Sequence, residues 1–307
     1  MGSHPLAVYT TVYRGCEPYL ASWRESLQEQ TDHDFDLWIG LDAITPDEVM
    51  AEAGGGLRTA HWIVAEPGDT PASLRQRAFA MLVNAYDEVV LVDADDMLQR
   101  SRIESARDAL ESCDVTACAL RLVDESGRDL GLTSFGLDEE EDVDLHELLP
   151  RYNVFGLSNS AYRADALARC LPVPPSCELT DWLIATRALV TGAVLRFDAV
   201  PRMAYRRHDH NTALVLPPFD AGGVLAASTR VVHHYRLLLE SDWLWPPGTR
   251  RPFEVARARA EAFHKAMRSS PATLDAYVTA LNQLTPRYVW WWAVAHPDLE
   301  HLWSPAA

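Results

Sequence analysis

Two rhythms of apolar and polar positions alternate along the first two-thirds of the chain. Short apolar runs recur at 6–12, 35–41, 61–64 and 89–92, each bounded by turn-forming or acidic residues. Between them lie stretches with apolar residues at helical spacing. Tyr19, Leu20, Trp23 and Leu27 fall within 17–30, and Leu74, Ala78, Met81, Leu82 and Ala85 within 73–86. A shorter helix is expected over 45–52, stopped by Gly54-Gly55-Gly56. The run at 89–92 is apolar on both faces, as a central strand of a parallel sheet must be. Strands alternating with helices predict a parallel, doubly wound α/β sheet.

Further along, the pattern predicts a helix over 102–112, a strand over 114–123 and a turn or hairpin at 124–136. A helix over 179–191 and a strand over 193–197 follow. The texture changes at Pro217-Pro218, beyond which three helices are expected over 221–240, 252–268 and 271–284. This places a domain boundary between 1–217 and a helical extension, 218–307, that carries Trp243, Trp245, Trp290, Trp291, Trp292 and Trp303. Tryptophan is enriched at interface hot spots. The extension is therefore expected to pair two copies of the chain or to close over an acceptor. Packing within its own chain is the alternative.

Composition narrows the classes. Of 307 residues, 48% are hydrophobic and 23% charged, the balance of a globular protein. The formal net charge of -17 repels phosphate at long range, which disfavours nonspecific binding to nucleic acid or to an anionic membrane. Cys16, Cys113, Cys118, Cys170 and Cys177 form an odd set without a C-x-x-C pair. That fits reduced thiols in a cytoplasm better than a disulfide framework or a zinc site. No run approaches the ~20 apolar residues of a membrane span, and no signal peptide is expected at the N-terminus.

The chemistry concentrates in V-V-L-V-D-A-D-D, residues 89–96, where a buried strand runs into three carboxylates. Open α/β sheets bind ligands beyond the C-terminal ends of their strands. Asp93, Asp95 and Asp96 sit at such an end, and grouped oxygen ligands suit Mg²⁺ or Mn²⁺. Solvated acids capping the next helix are the plainer reading of D-x-D. A calcium loop fails because Met97 stands where its fifth position needs oxygen. A haloacid-dehalogenase phosphatase expects Thr or Val at Met97.

The surrounding segments raise the first reading. A-V-Y-T-T-V-Y-R-G-C-E-P-Y-L, L-Q-E-Q-T-D-H-D-F-D-L-W-I-G-L-D, S-L-R-Q-R-A-F-A-M-L and V-V-L-V-D-A-D-D, in that order, resemble the family 2 glycosyltransferases. The resemblance covers roughly residues 6 to 212. It implies the GT-A fold, a Rossmann-like, mostly parallel sheet flanked by helices. It also implies a nucleoside-diphosphate sugar donor and a cofactor ion, Mn²⁺ or Mg²⁺. By the same resemblance Thr11, Tyr13, Glu17, Asp42, Arg75, Asp93 and Arg207 would line the donor site. Asp95, with Asp93 and His208, would hold the metal. Asn159, Ser160 and Trp182 would lie on the acceptor side, and Asp181 would be the general base.

The match has departures. Gln76 replaces a usual Asn beside Arg75, and Thr180 replaces a usual Glu beside Asp181. Y-R-R-H-D-H-N, residues 205–211, resembles the Y-R-x-H-x-x-N of rhamnosyltransferase-like members, with His208 and Asn211 in the matching places.

Each residue has a plainer reading. Asp181 could serve only to favour a helix N-terminus. His208 and His210 could be surface histidines, and Arg206 and Arg207 could pair with acids or clamp phosphate. The acidic run 138–147 reads first as a solvated helix face and second as a wall attracting a cationic acceptor. A nucleotidyltransferase would show a Gly-rich, basic phosphate loop after the first strand, which Tyr13-Arg14-Gly15-Cys16-Glu17 does not supply. A non-catalytic nucleotide-sugar-binding protein would have no need of Asp181. The expected partners are a nucleotide-sugar and a small-molecule or glycan acceptor.

Overall fold

The computed structural model describes residues 5–134, 144–208, 211–213, 215–285 and 289–304. His210 and most of the 138–147 acidic run lie outside these. The chain divides into two compact units, one of residues 1–134 with 155–208, the other of 135–154 with 209–307. The division thus falls at 208/209, ahead of Pro217-Pro218. Residues 144–154 join the second unit because Tyr235 donates its hydroxyl to the Pro150 carbonyl and Asn153 bridges to Trp290.

The first unit is a nine-stranded mixed sheet with helices against it. Its elements are β1 (Leu6–Tyr13), α1 (Leu20–Gln28), β2 (Asp36–Asp42), α2 (Pro46–Glu52), β3 (His61–Val64), α3 (Pro71–Ala85), β4 (Glu88–Leu91), β5 (Met97–Leu98), α4 (Arg102–Leu110), β6 (Val115–Val123) and β7 (Asp129–Thr133). In the second unit comes α5 (Leu145–Leu148). The first resumes with β8 (Ser160–Arg163), α6 (Ala164–Arg169), α7 (Thr180–Val190) and β9 (Leu195–Arg206). The strand order is β3-β2-β1-β4-β8-β6-β9-β5, with β7 beside β6. β3, β2, β1 and β4 are parallel, and β6 and β9 run parallel to each other. β8 runs antiparallel between β4 and β6. Most strands therefore point one way, and their C-terminal ends share one edge.

Local chemistry explains the boundaries. Thr45 and Glu48 form a reciprocal capping box that starts α2. The Thr70 side chain caps α3, whose first residue is Pro71. β4 is buried throughout. Trp23 of α1 and Phe79 of α3 are fully buried, each contributing about 1.5–3 kcal/mol by leaving water. A Cβ at Gly40 in β2 would stand 2.6 Å from the Tyr9 hydroxyl, so any other residue there would force Tyr9 to shift.

The second unit adds α8 (Ala221–Glu240), α9 (Arg251–Ser269) and α10 (Pro271–Leu281). Asp220 caps α8 and Ser270 caps α10. The tryptophans expected at an interface divide into two sets. Trp290, Trp291, Trp292 and Trp303 are buried in this unit's own core, where Phe263 packs on Tyr277 and Trp303. Trp243 and Trp245 are half-buried around the exposed Leu244. Among the described residues no helix is long and apolar enough to cross a membrane.

Candidate active site

The ends of β1, β2 and β4 are neighbours, since Tyr13 stands in register with Asp42 and β1 lies between β2 and β4. The turn after β4 carries Asp93, Asp95 and Asp96. One carboxylate oxygen from each lies within 4.8 Å of the others. Such crowding opposes ionisation. The Asp93 carboxyl is raised to about 7 by burial and then by the charge of Asp95, with Arg75 opposing and Asp181 adding to the rise. Asp96 is also raised, by burial first and by Asp95 and Asp93 next.

The three are held differently. Asp96 is buried and tied down: its Oδ2 accepts from the Ser158 hydroxyl and its Oδ1 from the Arg206 main-chain N–H at 2.7 Å. The Oδ2 of Asp95 accepts from Tyr13 at 3.1 Å and lies 3.0 Å from Nε2 of His208. Burial and then the charge of Asp95 raise the Tyr13 phenol, so it remains a donor. The His208 ring lies stacked on Tyr19, centroids 5.1 Å apart. Among the described residues nothing donates a hydrogen bond to the Asp93 carboxylate. Asp93 and Asp95 thus keep oxygens available, and hard oxygen donors beside an imidazole fit a divalent cation such as Mn²⁺ or Mg²⁺.

Two charged side chains from other elements address this turn. Asp181 stands in the first turn of α7, half-buried, and its charge is felt at Asp93. Arg75, on α3, is half-buried and also acts on Asp93. Its Nε is buried without an acceptor, and among the described residues its guanidinium makes no hydrogen bond or ion pair. An unpaired buried Nε is costly, and an anionic ligand would satisfy it. Beside Asp181 the Cys177 thiol is pushed up to about 12 by burial, so it stays protonated.

The remaining expected residues scatter. Thr11 is buried and donates to the Tyr9 hydroxyl at 3.3 Å. Asp42 is half-buried at the end of β2. Glu17 turns back on its own loop, accepting from Gly15 N–H and pairing with Arg14 at 3.5 Å. The Arg207 N–H donates to the Val123 carbonyl at 2.9 Å. Asn159 and Ser160 are fully buried and bind main chain: Asn159 donates to the Cys118 carbonyl at 2.6 Å and Ser160 to that of Gly156 at 2.6 Å. Trp182 is fully buried on α7. These last three frame the first unit from within and present no surface to a ligand. Asn211 belongs to the second unit.

Sequence reasoning passed over Tyr9, Tyr19, Ser158 and the frame-building part of Gln76, whose side-chain oxygen accepts from the Val173 N–H at 2.6 Å. The alternation Tyr9, Thr11, Tyr13 was a usable signal, because every second residue of a strand shares a face. Nothing local marks Ser158.

No family model matches the chain, and no curated protein matches it. Solved structures do. The mannosyltransferase PcManGT from Pyrobaculum calidifontis, determined with GDP-Man and Mn²⁺, is 16% identical, with a TM-score of 0.57 over 92% of this chain and 77% of that one. S. aureus TarS 1–349 in complex with UDP-GlcNAc is 15% identical, with a TM-score of 0.55 over 88% of this chain and 75% of that one. The chain shares the mixed α/β fold of these glycosyltransferases. Within that fold the three carboxylates occupy the turn at the end of β4, Arg75 comes from the helix before it, and Asp181 from a helix much later in the chain.

Proposed function

We propose that the protein is a divalent-metal-dependent, inverting glycosyltransferase of the family 2 type. It moves a hexosyl or deoxyhexosyl group from a nucleoside-diphosphate sugar to an acceptor hydroxyl or amine. One observation carries the reading: Asp93, which accepts no hydrogen bond among the described residues, feels Asp95, Arg75 and Asp181 from three separate segments, and Nε of Arg75 has no acceptor among the described residues. This supports reading Asp93 and Asp95 as cation ligands, Arg75 as the anion-binding guanidinium and Asp181 as the proton acceptor of one site. The GDP-Man and Mn²⁺ of the mannosyltransferase, and the UDP-GlcNAc of TarS, support the same reading.

Asp93 and Asp95 would hold the ion, with His208 beside Asp95. When bound, the ion supplies positive charge against the diphosphate as the bond to the sugar breaks. The chain's own residues do the rest. Tyr13 fixes one oxygen of Asp95. Arg75 binds a diphosphate oxygen through its Nε–H, which has no acceptor among the described residues. Asp181 accepts the acceptor's proton as that oxygen or nitrogen bonds to the anomeric carbon. The electron pair of the breaking carbon–oxygen bond leaves with the diphosphate, and attack from the opposite face inverts the configuration. The five thiols, all buried and unbridged, support a cytoplasmic location.

A panel of nucleoside-diphosphate sugars, each with and without Mn²⁺, tests this by thermal shift. A ligand at 100 times its dissociation constant stabilises the fold by about 2.7 kcal/mol. At least one donor should raise the midpoint, and only with the ion present. A shift with nucleoside triphosphates alone would favour a nucleotidyltransferase. A donor that binds and is never turned over would favour a binding protein.

A further inference from the structure

The carboxylate turn is built on a guanidinium that none of its carboxylates touches. Arg206 ends β9 and is 3% exposed. Its Nε donates to the Asp95 main-chain carbonyl at 2.8 Å, its Nη1 to the Glu125 carbonyl at 2.8 Å and its Nη2 to the Ser22 hydroxyl at 3.0 Å. Its own main-chain N–H holds Asp96 at 2.7 Å. The guanidinium carbon lies over the Tyr19 ring, 4.8 Å from its centroid, and Tyr19 in turn stacks on His208. Tyr19 is pinned through its hydroxyl, which donates to Glu125 at 3.1 Å.

Gly127 borders this guanidinium: its φ is +86°, and a Cβ there would touch Nη1 of Arg206 at 3.4 Å and Met97 at 3.5 Å, in ordinary contact. A residue with a side chain would be strained in its backbone at this φ.

The bonding pattern separates two uses of an arginine. A buried guanidinium beside three acids would ordinarily pair with one of them and consume its oxygens. Here every side-chain bond goes to a neutral oxygen: two main-chain carbonyls and a hydroxyl. The carboxylates of Asp93 and Asp95 are left to other partners. The residue grips Asp95 in two ways, by its carbonyl directly and by its carboxylate through the contacts Arg206–Tyr19 and Tyr19–His208.

We infer that Arg206 is a positioning residue for the metal site, fixing Asp95, Asp96 and His208 without neutralising them. This rests on the metal-dependent reading above, and it replaces the phosphate-clamp role that the sequence allowed for Arg206. Lysine cannot reproduce the effect, because it lacks the planar fork that serves three acceptors while lying against a ring.

The test is Mn²⁺ binding to the whole chain, followed by the loss of the free-ion electron paramagnetic resonance signal, alongside the thermal midpoint. Wild type, Arg206→Lys and Ser22→Ala are compared. Arg206→Lys should bind Mn²⁺ about tenfold more weakly, as a lost charge-assisted contact predicts. Ser22→Ala, which removes the bond from Arg206 and the one the hydroxyl donates to the Tyr19 carbonyl at 2.9 Å, should fold normally and weaken binding by about two- to fivefold. Variants that lose thermal stability but bind Mn²⁺ as tightly as wild type would make Arg206 merely structural and overturn the inference. Tight binding by wild type and both variants overturns it too, leaving the metal reading intact. Should wild type bind neither Mn²⁺ nor Mg²⁺, the metal reading itself fails, and this inference with it.

Discussion

Tyr13 donates its hydroxyl to Oδ2 of Asp95 at 3.1 Å, so the end of β1 orients a carboxylate that follows β4. The same oxygen meets His208. Tyr13→Phe removes one of the two contacts and keeps the ring. It should leave the fold intact and weaken Mn²⁺ binding by about tenfold, the lower range for a hydrogen bond to a charged group. Titration calorimetry checks it. Unchanged affinity would mean that Tyr13 serves the strand and not the site.

Asp181→Asn should lower turnover by roughly 10²–10⁴-fold, the usual worth of a general base. Donor affinity should barely change. Measured kcat and donor dissociation constants separate the two effects. A variant that loses donor binding while keeping its rate at saturation would put the base elsewhere.

Arg75→Met removes a guanidinium with no protein partner among the described residues. The midpoint of the ligand-free protein should hold or rise, because an unsatisfied buried Nε is lost. Affinity for a nucleoside diphosphate should fall by about tenfold or more, as expected for a charged contact. If stability drops and affinity does not, Arg75 belongs to the frame.

The raised Asp93 carboxyl makes a pH prediction for the metal-free protein. Its folded value, about 7, exceeds the ordinary 3.8. The fold therefore favours the protonated form. That contribution is full below the ordinary value and is lost as pH rises through about 7. Without metal, Asp93→Asn should match wild type at acid pH and melt higher than wild type above neutrality. Adding Mn²⁺ should reverse the order above neutrality, since the ion favours the ionised carboxylate. Parallel melting curves for the two proteins across this range would show that Asp93 is not under strain.

Much of the secondary structure was legible because its signals are local. The β3 run and the helix from Ala221 to Glu240 have the bounds that their apolar patterns and caps predict. β8 and α6 were not, because S-A-Y-R and A-D-A-L-A-R are too short to show a period and gain their partners across the sheet. β9 was expected to stop at Phe197, yet it runs on to Arg206 past Pro201 through register shifts against β6. The acidic turn was visible as a cluster. Its division of labour was not. Whether Asp96 is a tie or a ligand depends on Ser158 and Arg206, which come from distant parts of the chain. Likewise S-N-S gave no sign that Asn159 and Ser160 would turn inward to main-chain partners.

The central claim is that this turn uses a divalent ion to act on a nucleoside-diphosphate sugar. The most direct measurement is slow donor hydrolysis in the absence of an acceptor, followed by release of nucleoside diphosphate, with Mn²⁺ and again with excess chelator. The predicted result is hydrolysis of at least one donor with Mn²⁺, none with chelator, and none from a folded Asp95→Ala variant under either condition. Full hydrolysis in chelator, with the metal content verified as zero, or undiminished hydrolysis by Asp95→Ala, would contradict it.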